Sequence, residues 1–341
     1  MKISVSLCTY NGSRFLREQL ESIASQSRLP DEIVIVDDDS SDDTGKIAFD
    51  FAKKSVVPVT IHINETNLGS TRNFEKAIEL CSGDVIALCD QDDVWLPQKL
   101  TRMEHEFASD PRVGLVFSNA YLVDENLKHL RRDLWRETFR SRDRSRFSRG
   151  DAADVLLQYN VVTGATLAFR AELRSLILPM PILRGLIHDG WIALIAAISS
   201  RIVALPEKLV KYRQHSSQQL GAGLSRWQIS RVERCNLTIV DRKIAIARLN
   251  DFRKIFDFGF LELVEAMART PECVPDVDEI NRMLEEAETR IESHIAHLSA
   301  RAKLSGSRAL RVPQVLGEIN TGRYGEYSRG LQSALLDLVY K

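Results

Sequence analysis

The chain is poor in cysteine, and no two of its cysteines are spaced to chelate a metal or to build a framework. Cys8, Cys81, Cys89, Cys235 and Cys273 are odd in number and scattered. Without a C-x-x-C pair, neither a zinc knuckle nor a disulfide scaffold is indicated. An excess of one charge is also missing: Lys plus Arg number 46 and Asp plus Glu 47, a net charge of −1. That balance removes the global electrostatic case for binding nucleic acid. Long apolar runs are absent as well. The longest, Trp191 to Ile198, falls far short of the ~20 residues that cross a bilayer. The start, MKISVSLCTYNG, turns polar too soon for a signal peptide. These absences set the expectation of a reducing, cytoplasmic location.

What is present suits a folded chain. Its 341 residues are 44% hydrophobic, enough for about two domains with full cores. Ile3 to Leu7 alternates with period two, and Glu32 to Val36 reads as a buried strand. Val59 to Ile63, Val85 to Leu88 and Gly114 to Phe117 follow. Between them Leu16, Leu20, Ile23 and Ala24 recur at helical spacing, as do Phe74, Ala77, Ile78 and Cys81. Alternating strands and helices predict an α/β fold, a mostly parallel sheet flanked by helices. From about residue 226 onward the pattern is helical only. Ile280, Leu284, Ala287, Ile291, Ile295, Leu298 and Ala302 form one apolar stripe there. We therefore expect one domain over 1–222 and an α-helical C-terminal domain over 223–341.

Open sheets of this kind bind ligands beyond the carboxyl ends of their strands, and polar residues gather there. Thr9-Tyr10-Asn11-Gly12 follows the first strand, Asp37 to Thr44 the second, and Asp90-Gln91-Asp92-Asp93 the Val85 strand. Like charges about 4 Å apart repel by roughly 1 kcal/mol per pair in water, and by more near a protein surface. The acids of 90–93 form either a solvated turn or a cation site. A D-x-D on that edge offers hard oxygen ligands to Mg²⁺ or Mn²⁺. Asp37 to Thr44 is no calcium loop, because the sixth position counted from Asp37, Asp38 or Asp39 is never glycine. An ionised carboxylate there is a strong acceptor, or merely an acid at a helix N-terminus.

Taken together, VDDDSSDDT, NLGSTRNF, CDQDDVWLP, TGATLAFR, HDGW and YRQH resemble the inverting family 2 glycosyltransferases of GT-A fold. The resemblance covers roughly residues 1–220 and is nearest to the bacterial rhamnosyltransferase-like branch. It implies a nucleotide-sugar site built from Thr9, Tyr10, Asn11, Asp38, Asn67, Arg72, Asp90, Gln91, Gly164 and Arg213. In that scheme Thr9 and Tyr10 line the base and ribose, and Asp38 accepts the N3–H of uracil or thymine. Arg72 and Arg213 reach the phosphates. Asp92 and His215 become ligands of Mg²⁺ or Mn²⁺, and Asp189 the catalytic base. Two positions depart from the family: Asp39 stands where glycine is usual, and His188 where glutamate is common. From the residues alone, other readings stay open. Tyr10 can be packing, Arg72 a surface arginine, Asp189 a helix cap and His215 a surface histidine.

The implied activity is transfer of a sugar, L-rhamnose by the branch, from a dTDP- or UDP-sugar. The implied acceptor is a lipid-linked glycan in surface polysaccharide or O-antigen-type synthesis. A nucleotidyltransferase would share the acidic edge but needs a glycine-rich loop with a basic residue after the first strand, which Thr9 to Gly12 is not. A non-catalytic nucleotide-sugar-binding protein would need no base. Residues 128–149 carry Lys128 and eight arginines against three acids, interleaved with Trp135, Phe139 and Phe147. That irregular stretch reads as a solvated loop or surface helix. Otherwise it faces an anionic acceptor or anionic lipid, with peripheral contact at the inner face of the cytoplasmic membrane. The C-terminal stripe can pack on the core, form a homodimer, or dock on the membrane.

Overall fold

The computed structural model describes residues 1–182, 186–216, 218, 277–305, 307–327 and 331–339. The expected boundary at 222/223, with Cys235 and Cys273, lies outside those residues. The strands are β1 (Ile3–Thr9), β2 (Glu32–Asp37), β3 (Val59–Ile63), β4 (Val85–Asp90) and β5 (Val94–Trp95), then β6 (Val113–Val123), β7 (His129–Asp133), β8 (Leu167–Arg170) and β9 (Arg201–Arg213). Helices α1 (Leu16–Ala24), α2 (Thr44–Ala52), α3 (Ser70–Leu80), α4 (Lys99–Ser109), α5 (Leu134–Thr138) and α6 (Ser141–Ser148) lie among them. They are followed by α7 (Ala152–Gln158), α8 (Arg174–Ile177) and α9 (His188–Ser199), and by α10 (Val277–Ala302), α11 (Arg308–Asn320), α12 (Arg323–Tyr327) and α13 (Leu331–Val339).

The strands form one mixed sheet in the order β3-β2-β1-β4-β8-β6-β9-β5, with β7 added beside β6. β3, β2, β1 and β4 run parallel, while β8 enters antiparallel between β4 and β6. Period two divides each central strand between the two faces of the sheet. Val34, Val36, Ile86 and Leu88 join Phe74, Ile78 and the α9 residues on one side. Ile33, Ile35, Val85 and Ala87 join Leu16, Leu20, Leu100 and Met103 on the other. Both faces are therefore buried, which is why β2 and β4 read as near-continuous apolar runs.

The chain leaves β1 for β2 and β3 on one side, then crosses to β4 on the other. The crevice between the carboxyl ends of β1 and β4 is a topological switch point, where such sheets bind ligands. Register brings the polar edge together, for Thr9 pairs with Asp37 and Cys8 with Asp90.

Residues 129–148 are not irregular: they form β7, α5 and α6. Trp135, Phe139 and Phe147 are buried against Phe117 in an aromatic cluster with ring centroids 4.8–5.9 Å apart. The interleaved aromatics thus face the core, while most of the arginines between them, Arg146 excepted, point outward. At the C-terminus Ile291 and Leu298 of α10 enter the same core as α7 and α9. Arg290 ties α10 to Asp154 of α7 at 3.1 Å. A smaller core of Val315, Tyr324 and Ala334 closes α11, α12 and α13 together. No helix among the described residues is long and apolar enough to cross a membrane.

Candidate active site

The loops after β1 and β2 are stitched to each other. Thr9 Oγ1 donates to Asp37 Oδ2 at 2.7 Å, and Ser40 Oγ donates to the same oxygen at 2.6 Å. Asn11 receives the Ser41 N–H on Oδ1 at 2.9 Å, and its own N–H donates to Ser40 Oγ at 2.8 Å. Asn11 and Asp39 have φ of 46° and 63°, the left-handed region that glycine enters freely and Asn or Asp tolerates. The glycine usual at position 39 thus answers to a real backbone demand, which the aspartate meets here.

Asp38 is buried and its carboxylate holds the loop after β3. Oδ1 accepts Asn64 Nδ2 and the Leu68 N–H, both at 2.8 Å, and Oδ2 accepts the Gly69 N–H at 2.9 Å. Asn67 closes the same loop by donating to Asp38 O at 3.2 Å. Arg72, near the start of α3, forks onto both oxygens of Glu75 at 2.7 Å. Tyr10 is exposed, 49% accessible. Gln91 grips its backbone from across the sheet: Oε1 accepts the Tyr10 N–H at 2.8 Å and Nε2 donates to Tyr10 O at 2.9 Å. A Cβ on Gly12 would sit 2.0 Å from that Oε1, so a side chain there would break the grip. Gln91 is placed as a brace for Tyr10.

The acids after β4 are arranged differently. Asp92 Oδ2 lies 2.8 Å from His215 Nε2, and the His215 ring packs against Phe15 with centroids 4.8 Å apart. Asp93 is fully buried; Oδ1 accepts the Arg213 N–H at 2.9 Å, while Oδ2 has no hydrogen-bond partner. Burial first, then the charges of Asp92 and Asp189, push Asp90 up to about 7. Burial and the neighbouring Asp92 and Asp90 raise Asp93 as well. Arg213 is not open toward a ligand. Its side chain is 1% exposed; Nε donates to Asp92 O at 2.6 Å, Nη1 to Glu125 O, and Nη2 pairs with Glu18. The expected diphosphate contact is replaced by a brace beneath the acidic loop, because three acceptors from distant segments converge on one guanidinium.

Asp189 lies in the first turn of α9. Asn160 Nδ2 and the Gly190 N–H donate to Oδ1 at 3.0 and 2.6 Å, and the Gly164 N–H donates to Oδ2 at 3.1 Å. Burial nevertheless pushes its pKa up to about 6, against those three hydrogen bonds. His188 next to it is buried and pulled down to about 3 by burial. Its ring stacks on Phe74 at 4.0 Å, a packing role.

Among the described residues, no three His, Cys, Asp or Glu side chains are grouped to hold a metal ion. Asp92 and His215 form a pair. Such a pair fits Mg²⁺ or Mn²⁺, which commonly take one or two protein ligands and complete their octahedron with water and substrate phosphates. The repulsion that raises Asp90 and Asp93 would be reversed by a divalent charge. Asn64, Asn160, Glu18, Asp37 and Lys99 belong to the site's framework and were not singled out by sequence. Asn64 carried a signal, standing directly after β3 on the polar edge. Asp37 carried one too, as the first residue of the polar run after the second strand, whereas Asn160, Glu18 and Lys99 carried none, since their partners lie far away in the chain.

The mixed sheet with its ligand edge at the β1/β4 switch point is of the GT-A class. S. aureus TarS 1–349, solved with UDP-GlcNAc, superposes with a TM-score of 0.53 at 17% identity, covering 96% of this chain and 93% of that one, a likeness of fold. Residues 4–170 match the family model for glycosyl transferase family 2. An uncharacterized glycosyltransferase of Nostoc sp. is 30% identical over 222 residues, 64% of this chain and 66% of its own length. The glucosyl-dolichyl phosphate glucuronosyltransferase of Haloferax volcanii is 32% identical over 113 residues, 33% of this chain and 36% of its own. The chain thus spans just under two thirds of the first of these relatives and about a third of the second.

Proposed function

We propose that this protein is an inverting glycosyltransferase. It transfers a sugar, L-rhamnose in our reading, from a dTDP- or UDP-sugar to a hydroxyl of a lipid-linked glycan. Tyr10 offers an exposed ring to the base. Asp38 Oδ2 carries one donor and retains room for another, the base N3–H. Asp92 and His215 would hold Mg²⁺ or Mn²⁺, which when bound would supply charge stabilisation for a diphosphate leaving group. Asp189 takes the proton of the acceptor hydroxyl as that oxygen attacks the sugar's C1 from the face opposite the diphosphate. One base and no protein nucleophile make a single displacement.

The observation that carries this reading is Asp189. It is buried, fixed by three N–H donors, raised to about 6, and close enough to the acidic edge to raise Asp90. A base poised near the working pH is what general base catalysis favours. The three described cysteines are buried and free, which agrees with a reducing, cytoplasmic location. The exposed arginines of 131–149 give it a face for the anionic inner leaflet. The test is an NMR spectrum of the product after reaction with dTDP-L-rhamnose or UDP-sugars. An anomeric centre inverted relative to the donor supports the scheme; retained configuration defeats it.

A further inference from the structure

Lys99, the first residue of α4, is fully buried and has no part in the scheme above. Burying an ammonium costs several kcal/mol unless it is paired and hydrogen-bonded, so its position calls for a physical reason. Nζ lies 3.4 Å from the centre of the Trp95 ring and donates to Ala165 O at 2.7 Å. Its charge also faces Asp93 and Asp90. Ala165 is the middle residue of the tight turn Gly164–Thr166. The N–H of Gly164, one residue before it, is a donor to Asp189. One side chain therefore bolts the turn that holds Asp189 to the helix that leaves the acidic loop. A filler of that space would not need a charge, since methionine has similar length and no desolvation cost.

We propose that Lys99 is a positioning residue, which sets the Gly164–Thr166 turn, and through it Asp189, at a fixed distance from the Asp90–Asp93 edge. The donor side and the base reach the crevice from different parts of the chain, and Lys99 adds a side-chain link to the β4–β8 ladder that already joins them. The proposal rests on the reading of Asp189 as the base.

A double-mutant cycle tests it on the full-length protein with donor, acceptor and Mn²⁺. Lys99→Met should lower kcat by about 10- to 100-fold, the effect of a misplacement near 1 Å, with donor KM unchanged. Lys99→Arg, which keeps a charged donor, should recover much of the loss. In an Asp189→Asn background Lys99→Met should add nothing, because residues acting through one group are not additive. Equal losses in both backgrounds, or a raised donor KM at unchanged kcat, would overturn the positioning role alone. An Asp189→Asn enzyme as fast as wild type would remove the base assignment and this proposal with it. If Lys99→Met does not fold, the same cycle with Lys99→Arg decides. The longer guanidinium then gives a smaller loss confined to the Asp189 background.

Discussion

Two acidic clusters end β2 and β4, the strands on either side of β1 in the same sheet, and they are built on opposite plans. After β2, Asp37 and Asp38 are surrounded by donors from Thr9, Ser40, Asn64, Leu68 and Gly69. Asp42 follows suit: although burial draws it upward, hydrogen bonds from Thr44 and Ser13 hold it below the usual carboxylate range. After β4, burial and mutual repulsion raise Asp90 and Asp93, and one Asp93 oxygen has no partner. The first cluster is held almost entirely by donors of the protein and acts as a frame, with Asp38 Oδ2 carrying a single donor. The second is a concentration of like charge whose mutual repulsion a divalent cation would reverse. Crowded acids are not one kind of signal; their donors decide what they are for.

The largest expected effect lies at the base that faces the second cluster. Asp189→Asn should slow the chemical step by ~10²–10⁴ while donor binding persists. Because Asp189 must be ionised to act, wild-type activity should rise with pH through about 6, and that limb should vanish in the variant. Stopped-flow transfer assays across pH read both. A variant at the wild-type rate would leave Asp189 as a helix-turn acid.

Next comes the metal pair. Asp92→Asn should weaken metal-dependent dTDP or UDP binding by at least the about 10–100-fold that loss of an outer-shell partner costs. Calorimetry with unchanged affinity would put the cation elsewhere.

Asp38→Ala sharpens the comparison from the other side. It strips buried N–H groups of their acceptor, so urea melts should show a loss of about 1–3 kcal/mol. Pyrimidine nucleotides should bind weaker by ~1.5–3 kcal/mol, the scale of a charged hydrogen bond. If Asp38→Ala is as stable as wild type while Asp92→Asn is not, the division between frame and cation site is reversed.

The smallest effect concerns the arginine face. With its aromatics turned inward, attraction to anionic headgroups rests on charge alone, at ~1 kcal/mol per basic residue near the surface, falling with salt. Replacing Arg136 and Arg144 by glutamate should reduce co-sedimentation with anionic vesicles. Equal binding to neutral and anionic vesicles would remove the membrane contact.

Much of the frame was legible in local pattern. The strands predicted at Ile3, Glu32, Val59 and Val85 are β1 to β4, and the stripes at Leu16 and Phe74 are α1 and α3. The C-terminal stripe also behaves as its spacing implies, since Ile291 and Leu298 enter the core. The antiparallel insertion of β8 was not legible, because nothing within Leu167–Arg170 specifies its neighbours. The stretch 128–149 misled because arginine density masked the four apolar residues, Leu134, Trp135, Phe139 and Phe147, that turn into the core.

The sequence by itself determined β1 to β4, α1 and α3, and which residues would stand at those strand ends. Those properties follow from periodicity within single segments, as does the placing of Asp38 and Asp92 on the polar edge. Only the tertiary structure decided which of those acids are satisfied, that Arg213 braces the acidic loop, and that Lys99 reaches Ala165. The reason is that a buried polar group is completed by donors from elsewhere. Asp93 meets the backbone of residue 213, and Lys99 a carbonyl 66 residues away. No periodicity within one segment records such a meeting.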